Sequence, residues 1–280
     1  MSNKSKAVIL MLFTALSFSF MAVMVKKSGN IPTFEKVFFR NIVSLFISFF
    51  TIKSTGKSIF GKKENQLYLI GRAVFGTMGM IFSFYAISHL YLADASMLNN
   101  LSPFVVTLLA AIFLKEKLSK LQVPALIVVF ISSMLIIKPR FDMQVTPAIV
   151  GFMSAIASGI AYTIVRYLND KENPFTIVFY FSIFSTIAII PFAVFNFVVP
   201  TSAQTIYLIS AGIFATLGQY GLSFAYRLAN ASEIVIYNYS NVIFSALLGY
   251  LIWSEIPDYL SITGGSIIIT ISILLFIFRK

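Results

Sequence analysis

Apolar side chains run along almost the whole chain, interrupted at intervals by short polar or charged clusters. Apolar stretches fall at about 7–25, 36–52, 67–89, 94–114 and 121–137. A second set falls at about 147–166, 175–195, 205–226, 233–253 and 259–278. Between them lie turn and charge signals such as Ser28-Gly29-Asn30-Ile31-Pro32, Lys62-Lys63-Glu64-Asn65, Lys115-Glu116-Lys117 and Asn169-Asp170-Lys171-Glu172-Asn173-Pro174. Each stretch approaches the roughly 20 residues that a helix needs to cross a bilayer. Period-2 alternation is absent, and backbone facing lipid must satisfy its hydrogen bonds internally, so helices are expected rather than strands. The pattern predicts an all-α membrane protein with ten transmembrane helices.

Composition agrees. Apolar residues make up 58% and charged residues 11% of the chain, and the mean hydropathy is +0.89. Soluble domains carry roughly 25% charged residues. The net charge of +11 would suggest nucleic acid in a soluble protein, but here Lys and Arg sit in the short connections. That placement sets membrane orientation instead. With a cytoplasmic N-terminus, inside segments hold 14 of the 21 Lys and Arg and outside segments hold 6, with Arg72 inside the third run. Both termini are therefore expected in the cytoplasm, with the chain multi-pass in the inner or plasma membrane. The first run ends in Val25-Lys26-Lys27 without a small-residue cleavage site, so it reads as a retained helix rather than a signal peptide. Without cysteine, and with His89 as the only histidine, thiolate and His-rich metal sites are excluded, and no cofactor is expected.

Self-comparison reveals a duplication. A shift of 139 residues aligns Tyr68-Leu69-Ile70 with Tyr207-Leu208-Ile209, and pairs Phe75 with Phe214, Thr77 with Thr216, Gly79 with Gly218 and Ala86 with Ala225. The same shift pairs Asp94 with Glu233, Asn99 with Asn238, Glu116 with Glu255 and Leu121 with Leu260. A shift of 140 pairs Ala15 with Ala155, Val25 with Val165 and Lys26 with Arg166. The expected units are residues 1–140 and 141–280, each with five helices. An odd number makes the second repeat enter the membrane from the opposite side. Inverted repeats of this kind are common in secondary transporters, with substrate bound where the repeats meet.

The residues that recur also resemble a known family. Arg72-Ala73-Val74-Phe75-Gly76, Phe84-Tyr85-Ala86-Ile87, Leu92-Ala93-Asp94-Ala95, Leu101-Ser102-Pro103 and Leu114-Lys115-Glu116-Lys117 look like the EamA repeat of the drug/metabolite transporter superfamily. In the second half Val242 stands at the Pro103 position, and Ser254-Glu255-Ile256-Pro257 resembles the repeat's Gly-Glu-x-Pro with Ser for Gly. The resemblance implies ten helices, cytoplasmic termini, a central cavity and movement of small metabolites.

Polar side chains inside membrane helices mark cavities or interhelical hydrogen bonds. Asn99 and Asn100 in the fourth run, Asn238 and Asn241 in the ninth, and Gln219 in the eighth are the amide candidates for substrate contact. Tyr85, Tyr162 and Tyr237 add aromatic faces with a hydroxyl, as do Tyr180 and Tyr239. Arg40 and Arg72 are the charges most embedded in the runs. Arg72 is a candidate for an anionic group, although a position near a helix end also suits snorkelling to headgroups. Asp94 and Glu233 are read as charges at helix starts, Glu116 and Glu255 as turn residues, and His89 as interfacial. Gly76, Gly79, Gly218 and Gly221 offer small faces, and Pro103 and Pro191 kinks.

These features predict a secondary transporter of a small polar organic metabolite, in the class of amino acids, nucleosides or S-adenosylmethionine-like solutes, working by alternating access. The cavity is expected among the first, third, fourth, sixth, eighth and ninth helices. An exporter of drugs or amines, and a channel or scaffold, are the alternatives. An enzyme is disfavoured, because no mid-span carboxylate accompanies the single histidine. Expected partners are the small-molecule substrate and the lipid bilayer, with a homodimer as the candidate assembly and no nucleic acid.

Overall fold

The computed structural model describes residues 3–56, 58–113, 122–137, 145–168, 171–195, 197–229 and 234–277. Among them are helices α1 (Asn3–Lys27), α2 (Thr33–Thr55), α3 (Gln66–His89), α4 (Leu92–Asn99), α5 (Ser102–Phe113) and α6 (Gln122–Ile137). The second half contributes α7 (Thr146–Leu168), α8 (Pro174–Phe195), α9 (Ser202–Leu228), a 3-10 turn (Val235–Tyr239), α10 (Ser240–Trp253) and α11 (Tyr259–Ile277). Six of these helices, α1, α2, α3, α7, α8 and α9, are long and apolar enough to cross a membrane. Shorter apolar helices make up the rest. The turn and helix-start roles expected of Glu116 and Glu233 fall outside the described residues.

The main pairings are α1 with α9, α3 with α7, α2 with α8, and α6 with α11. They are antiparallel where side chains fix the register. Phe20 stacks on Phe214 at 5.3 Å while Thr14 reaches the Gly218 carbonyl, and Phe34 stacks on Phe192 at 5.3 Å while Phe49 meets Phe179. Exchanging each helix for its counterpart in the other half leaves this set of pairings unchanged: α1·α9 becomes α7·α3, and α2·α8 and α6·α11 map onto themselves. The exchange reaches individual atoms. Ser154 Oγ donates to the Gly79 carbonyl at 2.9 Å, and Thr14 Oγ1 donates to the Gly218 carbonyl at 3.4 Å. Gly79 and Gly218 are duplication partners, and missing Cβ atoms bring both backbones close to the facing helix.

Two runs expected as single helices are broken. The fourth divides at Asn100-Leu101, between α4 and α5. Pro103 lies in the first turn of α5, where its missing N–H costs no helical hydrogen bond, so it begins a helix instead of kinking one. The ninth run winds as a 3-10 turn before α10, although Val242 replaces the proline there. The break therefore recurs in both halves with proline in only one. At each break stands an asparagine with a hydrogen-bonded side chain: Asn100 donates back to the Ser96 carbonyl, and Asn238 donates to Asn100 of the other half.

Candidate functional site

Where the two broken runs cross, their amides form a chain of hydrogen bonds. Asn238 Nδ2 donates to Asn100 Oδ1 at 3.1 Å, and Asn100 Nδ2 donates to Asn241 Oδ1 at 3.3 Å and to the Ser96 carbonyl at 2.8 Å. Asn241 Nδ2 in turn donates to Ser19 Oγ at 2.8 Å and the Ala15 carbonyl at 3.0 Å. These bonds join both breaks to α1. A buried amide that lost its partner would bear the full desolvation penalty, so the chain holds as a unit.

Two cavities flank this crossing. One, about 750 Å3 counting the space open to solvent, is lined by Arg40, Arg72, Asn99, Tyr162, Phe181 and Gln219, among others. The second, about 730 Å3 on the same measure, is lined by Asn99, Asn100, Tyr162, Arg166, Tyr226 and Asn238, among others. Phe18, Asn99, Tyr162 and Asn241 border both. Arg166 and Tyr226 sit in the last turns of α7 and α9, which places the second cavity toward the end of the bundle where α1 begins.

The structure thus gathers seven of the nine sequence candidates around the cavities: Arg72, Asn99, Asn100, Tyr162, Gln219, Asn238 and Asn241. Tyr85 instead stacks on exposed His89 at 4.3 Å, and Tyr237 packs against the cluster around Ala7 and Met11. Neither borders a cavity described here. Tyr180 donates to Gln66 Oε1 at 3.0 Å, and Tyr239 packs edge-on against Phe104.

The arginines differ most from expectation. Neither snorkels. Each is 3% exposed, turned into the bundle with its guanidinium over the Phe181 ring, at 5.5 Å for Arg40 and 4.1 Å for Arg72. Arg72 donates to Gln219 Oε1 at 3.1 Å and Arg40 to Asn41 Oδ1 at 2.8 Å. Asn41 Nδ2 continues to Ser185 Oγ at 2.7 Å, which also accepts from Thr77 at 2.8 Å. The second and seventh runs, expected outside the cavity, therefore contribute Arg40 and Phe181. A signal for α2 was present: Val37, Arg40, Asn41, Ser44, Ser48 and Ile52 recur at helical spacing and are all buried.

At the opposite end of the larger cavity, Lys26 in the last turn of α1 pairs with Glu255, donates to the Leu90 carbonyl at 2.8 Å and lies over the Trp253 ring. Glu255 Oε2 accepts from the Leu92 N–H at 2.9 Å. The sequence placed Lys26 in an outer flank and Glu255 in a turn. In the structure they tie α1, the start of α4 and the end of α10 into one closure.

Comparison with known proteins identifies the framework around these cavities. A solved crystal structure superposes with a TM-score of 0.72 at 15% identity, covering 98% of this chain and 97% of the other, so the fold is shared. The pseudopaline exporter of Pseudomonas aeruginosa is 34% identical over 271 residues, spanning 96% of this chain and 95% of the relative. The S-adenosylmethionine uptake transporter of Rickettsia bellii is 25% identical over 92% of this chain and 89% of the relative. The profile of the EamA-like transporter family matches twice, over residues 5–138 and 146–278. With its apolar membrane-length helices and this double match, the chain is a multi-pass membrane protein that belongs to the EamA-like transporter family.

Proposed function

We propose that the protein is a secondary carrier of a small polar organic metabolite, built as two inverted five-helix repeats (1–140 and 141–280) that alternate access to one central site. One observation carries this reading: cavities lined by both halves meet at paired helix breaks, within a set of helix pairings that survives exchange of the halves. Two similar halves can exchange conformations, and that exchange moves the opening from one face to the other. In this reading Arg72, Asn99, Tyr162 and Gln219 contact the solute, while Asn100, Asn238 and Asn241 hold the breaks. Lys26 and Glu255 close one end. Arg166, the duplication counterpart of Lys26, lines the second cavity at the other end. The broken helices are the bending points, a role that 3-10 stretches within helices, such as Val235–Tyr239, often take.

The names of the relatives include both an exporter and an uptake transporter, which supports the carrier cycle itself rather than one direction. The Lys/Arg distribution supports cytoplasmic termini in the cell membrane. The reading as an amine exporter is weaker, because no Asp or Glu among the described residues lines either cavity.

The test is counterflow. Purified protein in liposomes is loaded with an unlabelled polar-metabolite extract and diluted into the same extract, radiolabelled. A carrier gives transient, saturable accumulation above empty liposomes, reduced by Gln219→Ala and Asn99→Ala. Equal label in protein-containing and empty liposomes, or uptake linear in concentration, contradicts the proposal.

A further inference from the structure

The larger cavity holds two cations that face no carboxylate among the described residues. Arg40 and Arg72 are both buried, and both hydrogen-bond partners, Asn41 and Gln219, are neutral. The Nε of each arginine is buried with no acceptor. Neither arginine has a carboxylate within ion-pair distance among the described residues, where Glu255 is engaged by Lys26. An uncompensated charge away from water is costly, and a position needed only for packing would be filled more stably by an apolar side chain.

The backbone is also shaped around one of these charges. A Cβ on Gly76 would collide with Arg72 Nη1 and come within 3.0 Å of Phe181 Cε2. The missing side chain lets the guanidinium lie on the ring, where the face of Phe181 stabilises it and holds its plane. A guanidinium held flat presents its N–H fork in a fixed direction, the geometry that binds planar carboxylates or phosphate oxygens in pairs. No acidic side chain among the described residues lines either cavity to receive a cationic group.

We infer that the transported solute is an organic anion, with more oxyanion groups than amines, and that it seats an oxyanion against Arg40 and Arg72. This rests on the carrier reading above and names its substrate class. The bound anion supplies a charge opposite to that of the two guanidinium groups, so the loaded cavity is closer to neutral than the empty one.

Two measurements test this. In the first, the solute accumulated by counterflow is passed over an anion exchanger at neutral pH. Retention is expected, with accumulation lost in Arg40→Gln and Arg72→Gln, and phosphatase treatment of the retained fraction separates phosphate esters from carboxylates. Accumulated solute that flows through, or that binds a cation exchanger, overturns the inference and leaves the carrier intact. The second measurement needs no known substrate. Thermal unfolding of the purified full-length protein is followed in citrate, succinate and inorganic phosphate, each against chloride of equal ionic strength. At least one of these anions should raise the parent's unfolding temperature by several degrees more than that of the Arg40→Gln/Arg72→Gln variant. The variant without anions should unfold no earlier than the parent. Equal anion responses in parent and variant overturn the inference. If nothing accumulates in any vesicle the carrier reading fails, and the unfolding comparison alone decides the anion site.

Discussion

Lys26 on α1 and Glu255 beyond α10 form an ion pair across the two halves of the chain, largely shielded from solvent. Its strength lies between that of exposed and fully buried pairs, about 1–3 kcal/mol. Glu255→Gln therefore weakens the closure and shifts the protein toward the state open at this end. The chain lacks cysteine, so Ser83→Cys in the larger cavity gives a clean reporter. An impermeant maleimide should label it on the order of tenfold faster in the Glu255→Gln background, as about 1.4 kcal/mol of bias would give. Unchanged labelling would show that this pair is no gate.

Ser254, the residue before Glu255, takes a left-handed backbone conformation with φ of 55°. It stands where the repeat's usual glycine is replaced by serine. A Cβ in that conformation costs about 1 kcal/mol, and glycine removes the cost. Ser254→Gly should raise unfolding stability by about 0.5–1 kcal/mol in detergent while leaving the Lys26–Glu255 pair in place.

Asn99 and Asn100 are neighbours with separable roles. Asn100 bonds Asn238, Asn241 and the Ser96 carbonyl, whereas the side-chain contact of Asn99 is a long one, 3.5 Å from Ser154 Oγ. Asn100→Leu should destabilise the protein by about 1–3 kcal/mol, because it leaves buried amides without partners. Asn99→Ala should cost under about 1 kcal/mol and lower transport instead. Melting curves set beside counterflow rates test the contrast.

Gly218 bears on Phe18, a residue bordering both cavities. A Cβ at position 218 would lie 2.6 Å from Phe18 Cε1, so the ring must move. Gly218→Ala should cost about 1–3 kcal/mol from overpacking and should displace a ring that lines both cavities. A transport loss larger than the stability loss explains is the expected outcome, read from folded protein recovered by size exclusion.

The apolar runs and their duplication were legible because both depend on local composition and a constant offset, which a linear chain displays directly. The breaks at Asn100 and Asn238 were less so. A run such as 94–114 has the same composition whether its helix is continuous or not, and the bonds that stabilise the break come from the facing half. The depth of Arg40 and Arg72 was hidden for a related reason. Distance along the chain put them near helix ends, but the side a guanidinium faces depends on how α2, α3 and α8 pack. The buried stripe of α2, with Asn41, Ser44 and Ser48 in register with Arg40, was the clue that helical spacing did carry. The Lys26–Glu255 pair joins residues separated by 229 positions, beyond the reach of any local pattern.

The most direct test of the carrier cycle is to lock one end. In the otherwise cysteine-free chain, Lys26→Cys and Glu255→Cys are joined by a short bis-maleimide, and counterflow is measured before and after cross-linking. The account predicts exchange in the open double variant and a fall to the level of empty liposomes once the end is locked, with Asn99→Cys then reachable only from the opposite face. Undiminished counterflow in the cross-linked protein would contradict alternating access through this closure.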